Sequence, residues 1–183
     1  MHLPWFLCNC VGGIPDTGLH YNAFWSKLQQ AKFDIVYYSE YFNHYTKISR
    51  VIKYIIVGVT ALATGAWMNW ASIPSVGTIC GVVILILQAV SAISEHFPYE
   101  SRKLELREML AELNPLYLEM ENDWRTIYSL KMSNSKIQEA IYRYELKQNN
   151  IKRHYFKDDA LSDNEKLRTK ADEKTEEYFK YFV

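Results

Sequence analysis

YIIVGVTALATGAWMNWASIPSVGTICGVVILILQAVSAIS, residues Tyr54–Ser94, runs without one Asp, Glu, Lys or Arg. A membrane span takes roughly 20 mainly apolar residues to cross about 30 Å of hydrocarbon. The run is too long for one such span and about right for two. It divides into Tyr54–Trp70, a short break through Ala71–Ser75 containing Pro74, and Val76–Ser94. Pro74 disfavours helix at Ile73 and is well suited to the first turn of a new helix. The alternative is a buried helical hairpin, but a helix that is apolar all round needs a large core or lipid. The rest of the chain is too polar to wrap two such helices. The expected fold class is therefore an all-α membrane protein, a two-span transmembrane hairpin with a cytoplasmic helical bundle.

Charge supplies the orientation. Lys47, Arg50 and Lys53 precede the first apolar segment, Arg102, Lys103 and Arg107 follow the second, and the break between them is uncharged. The positive-inside tendency then predicts an inner-membrane, multi-pass protein with both termini cytoplasmic. Lys and Arg number 21 against 21 Asp and Glu. That balance argues against a general nucleic-acid binder, and no direct nucleic-acid binding is expected.

The expected organisation is an apolar N-terminal segment over 1–17, a cytoplasmic helix over 18–53, the hairpin over 54–94 and a cytoplasmic helical domain over 95–183. Segment 1–17 lacks the basic start of a signal peptide. Asp16 and Thr17 are candidate caps for a helix of about 50 residues, roughly 75 Å long, that enters the first apolar segment unbroken. Tyr21, Phe24, Trp25, Phe33, Tyr37, Tyr38, Tyr41, Phe42 and Tyr45 load it with aromatics, read as packing surface with a possible interfacial belt near the span. Further on, helix is expected over Tyr99–Leu113, broken or kinked at Asn114–Pro115, and again to about Met132. Ser135-x-x-Gln138 and Ser162-x-x-Glu165 read as capping boxes for two more helices, through about Tyr155 and Phe182. No strand is expected.

Catalytic signals are missing. No glycine-rich phosphate loop, nucleophile elbow or metal-spaced His pair occurs. Cys8-x-Cys10 lacks further ligands at metal spacing. Neither enzyme activity nor a cofactor or metal is expected. Arg153, His154 and Tyr155 form either a binding cluster or a solvated face.

The apolar segments carry other patterns. Ala61-x-x-x-Gly65 and Gly77-x-x-x-Gly81 are small-xxx-small motifs that let helix backbones approach in lipid, within one chain or between copies. Ile84, Gln88, Ser91 and Glu95 share one helical face. In lipid, Gln88 calls for an interhelical hydrogen bond, with Thr60 or Thr64, or for a pore-facing position with Glu95 at the mouth. Two helices enclose no channel, so a pore requires several copies.

The Tyr45–Trp70 helix-into-span, the Ala71–Ser75 turn, and Val76–Leu113 with its charged continuation ESRKLELREMLAEL resemble the SLATT-type two-span effectors of prokaryotic antiviral defence. The pattern is also similar to the small pore-forming membrane accessory proteins of type VI-B CRISPR systems. A suspected R-x4-6-H ribonuclease motif of that group has no counterpart here. The resemblance implies a membrane effector that assembles from six or more copies and depolarises the inner membrane on a signal from an RNA-guided nuclease or a nucleotide-signalling protein. Membrane lipid and further copies of the chain would be its direct partners. A non-conducting membrane scaffold for a defence partner, or a membrane toxin of a toxin–antitoxin pair, are the alternatives.

Overall fold

The computed structural model describes residues 18–70, 78–79, 81–83, 85–86, 88, 99–129, 132–156 and 161–182. Four complete helices follow in order: α1 (Gly18–Trp70), α2 (Tyr99–Tyr128), α3 (Asn134–Tyr155) and α4 (Glu165–Lys180). The described residues between 78 and 88 are also helical, and no strand occurs among the described residues.

α1 is one unbroken helix of 53 residues, about 80 Å at 1.5 Å per residue. Its N-terminal half presents Phe24, Leu28, Ala31 and Ile35 at spacings of four, three and four, a single apolar stripe. Against it lie Leu106, Met109, Leu113, Leu116, Tyr117, Met120, Trp124 and Ile127 of α2, with Ile137, Ala140 and Tyr144 of α3 and Phe179 of α4. α1 touches all three other helices, and α2 also packs on α3. The aromatic residues of α1 are mostly packing surface. Phe24 and Tyr41 are buried, while Tyr21, Trp25, Tyr37, Tyr38, Phe42 and Tyr45 pack on the core. Tyr21 and Trp25 bracket Trp124 at ring distances of 4.6 and 4.7 Å.

The core ends well before α1 does. Ser49 is the last buried residue described on it, and Val51, Tyr54, Ile55 and Val57 are exposed. α1 therefore has a packed half and an extension.

The expected transmembrane hairpin is corrected here. Among the described residues, no helix is long and apolar enough to cross a membrane. The all-helical character stands, but the two-span membrane fold and the multi-pass inner-membrane location with cytoplasmic termini do not. Past Lys53, Gly58, Thr60, Thr64, Gly65 and Asn69 interrupt the apolar residues of α1, which falls short of the roughly 20 mainly apolar residues a span takes. Much of Val76–Ser94, the Ala71–Ser75 break and segment 1–17 lie outside the described residues.

Three local expectations also shift. α2 continues through Pro115 instead of breaking. Pro115 is exposed while Leu113, Leu116 and Tyr117 are buried, so packing on both sides overrides the lost backbone N–H. α3 begins at Asn134 with Ser133 as N-cap, two residues before the predicted box, and no side chain closes that cap. α4 begins at Glu165 behind Asn164, whose side-chain oxygen accepts from the Leu167 N–H at 3.3 Å. Ser162 does not cap it, because its carbonyl accepts the Tyr41 hydroxyl and the chain there is tied to α1.

Candidate functional site

Two polar assemblies lie where α4 meets the rest of the bundle. Glu40 of α1 is 3% exposed and accepts from Lys170 at 2.6 Å through one carboxylate oxygen and from Lys174 through the other. The two lysines are one turn apart on α4, so a single carboxylate bridges both. Burial alone would raise the Glu40 pKa; the two ammonium groups outweigh it and hold the carboxyl below its ordinary value.

The second assembly centres on Lys32. Its ammonium lies 3.6 Å from the Tyr178 ring centre and 4.9 Å from that of Tyr117, a cation–π arrangement. Burial lowers the Lys32 pKa, and Glu121 opposes the shift. Glu121, itself buried, accepts from Tyr178 at 3.1 Å and from Arg125 at 2.6 Å. Burial pushes the Tyr117 phenol far up, with the Tyr178 hydroxyl beside it adding to the shift. Tyr178 commits its proton to Glu121, and the buried Tyr117 hydroxyl has no hydrogen-bond partner among the described residues.

Between α1 and α3 lies a cleft of about 300 Å³ lined by Lys27, Gln30, Asp34, Glu145, Gln148, Asn149 and Lys152. Ion pairs Lys27–Glu145 and Lys152–Asp34 cross it. Its two cations and two anions are thus matched, and none of the lining residues forms a nucleophile–base pair. No group of three His, Cys, Asp or Glu among the described residues is placed to hold a metal ion. The Arg153–His154–Tyr155 trio divides. Tyr155 donates to Glu112 of α2 at 2.7 Å, which pushes its phenol up to about 12, and His154 stands edge-on to that ring at 4.9 Å. Arg153 and His154 are exposed. This is a helix-to-helix tie with a solvated face.

The residues singled out in the apolar stretch are placed as follows. Gln88 is helical and exposed, whereas Ile84, Ser91, Glu95 and Gly77 lie outside the described residues. Ala61 is exposed and Gly65 belongs to α1. A Cβ added at Gly81, or at Gly58, would meet nothing within 4 Å. No described part of the chain therefore packs closely on Gly81. Around these positions Val51, Tyr54, Ile55 and Val57 on α1, with Ile79, Val82, Leu85 and Ile86 beyond it, are all large, apolar and exposed. Of the fifteen large apolar residues exposed among the described ones, these eight fall between 51 and 86.

The chain matches no protein family, no curated protein and no solved structure. Sequence reasoning missed Glu40, Lys170, Lys174, Lys32, Tyr117 and Tyr178. The one available signal was a pair of lysines at i, i+4 on a charged helix, and nothing in the sequence joins that pair to a glutamate 130 residues earlier.

Proposed function

We propose that the protein works without catalysis, by self-association through the extension of α1 and the apolar segment that follows it. The observation that carries this reading is the run of exposed apolar side chains, Val57 at 67% and Leu85 at 65% among them. Exposed apolar groups gathered in one region mark interaction surfaces, because water is released when they are covered. No ionisable Asp, Glu, Lys or Arg occurs from 54 to 94, so a nucleic acid or other charged partner finds nothing to pair with there. A second copy supplies the matching apolar face, and a formal net charge of zero leaves no long-range repulsion between copies.

With no described helix able to cross a membrane, the protein would work through a helical head that receives a signal and an apolar segment that joins copies. An RNA-guided nuclease or a nucleotide-signalling protein is the partner class to which that head would couple.

Light scattering of the purified chain over a dilution series tests the reading. Wild type gives a mass above 21.5 kDa that falls on dilution, whereas Val57→Lys with Leu85→Lys gives one copy with unchanged helix content. A wild-type mass of one copy at every concentration overturns it.

A further inference from the structure

We infer that α4 is a detachable latch, which opens as a unit while α1, α2 and α3 stay packed. The inference does not depend on self-association. Of the residues of α4, only Ala171 and Phe179 are buried. Among the described residues the fully buried large side chains, Phe24, Leu28, Leu106, Met109, Met120 and Ile127, all belong to α1 and α2; neither α3 nor α4 has one, but α3 packs along both of those helices and α4 along α1 alone. Leu167 and Tyr178 of α4, with Phe182 just beyond it, pack on the core, and polar ties add to this: both lysines on Glu40, Tyr178 on Glu121, and Lys32 over the Tyr178 ring. Its entry is pinned the same way, by the Tyr37 hydroxyl on Asp163 and the Tyr41 hydroxyl on the Ser162 carbonyl.

The two lysine side chains are 49% and 50% exposed while that of Glu40 is 4% exposed, so dissolved salt reaches the clamp from the lysine side and weakens it in part. Local opening free energies within one protein range from near zero to the global value, and a segment with few buried apolar groups lies at the low end. The closed state also carries an uncompensated cost. The Tyr117 hydroxyl, close to Tyr178 with ring centres 6.3 Å apart, is buried without a hydrogen-bond partner among the described residues. Opening lets water satisfy it. Once open, the face uncovers Glu40, Lys32, Tyr117 and Trp25, whose indole packs edge-on to Phe179 at 5.1 Å.

The test is hydrogen exchange of the full chain, read helix by helix. Lys170→Ala with Lys174→Ala is expected to speed exchange across α4 at least tenfold, while α2 and α3 stay within about twofold of wild type. Raising wild type to about 1 M salt is expected to act in the same selective direction, since the screening length falls to about 3 Å. Lys170→Arg with Lys174→Arg should restore protection. Exchange that rises in α2, α3 and α4 together, or an α4 that responds to neither the alanine pair nor salt, overturns the latch. Should the alanine pair fail to fold, the wild-type salt series decides alone.

Discussion

Truncating Phe24 separates the packed half of α1 from its extension. Phe24 is fully buried and lies 6.2 Å from both Trp124 of α2 and Tyr144 of α3, stacked on the first and edge-on to the second. Phe24→Ala removes on the order of 150 Å² of buried apolar surface, or about 4 kcal/mol at about 25 cal/mol per Å². Losing two ring pairs adds to this and partial collapse of the cavity subtracts, so about 3–5 kcal/mol is expected. With a urea slope of about 2 kcal/mol per molar, the midpoint drops by about 2 M. Ile55→Ala is the control. That side chain is 54% exposed on the extension, so its truncation should move stability by no more than about 0.5 kcal/mol. Both are read by far-ultraviolet circular dichroism at one low protein concentration, because assembly adds stability by mass action. A loss at Ile55 equal to that at Phe24 would refute the division of α1, as would a Phe24→Ala variant within about 1 kcal/mol of wild type.

Tyr117→Phe deletes a buried hydroxyl that bonds to nothing described and should raise stability by about 1 kcal/mol. Tyr144→Phe should lower it by about as much, because that hydroxyl donates to Asp123 at 2.8 Å; thermal melts showing Tyr117→Phe below wild type would contradict the assignment. The Glu40 carboxyl is held below its ordinary value in the folded protein. Its contribution is therefore fully present above the unfolded value of about 4.3 and is lost as pH falls through the lower folded value. Acid titration of wild type should show this loss and Glu40→Gln should lack it; superimposable acid profiles would count against the clamp.

The helical character of the chain, the long uninterrupted α1 and the packing role of its aromatics were legible from residue spacing, because helix periodicity is a local property. Arg153–His154–Tyr155 could be narrowed only to two readings, and the α2–α3 contact through Glu112 chose between them. Helix ends were less legible. α4 starts behind Asn164 and α2 runs through Pro115, because tertiary contacts at Ser162 and around Leu113 and Leu116 outweigh local preferences, while nothing in the structure explains the shift of the α3 cap to Ser133. Charge and apolar patterning identified the stretch that departs from the rest, but no described helix is long and apolar enough to cross a membrane, so the two-span reading does not stand. By itself the sequence determined that this chain is built of helices with an uncharged apolar stretch near its middle. Only the tertiary structure buried Glu40 between two lysines from the far end of the chain and left Val51, Tyr54, Ile55 and Val57 outside the core. Burial and pairing are set by which distant surfaces meet, and no periodicity within one helix encodes that.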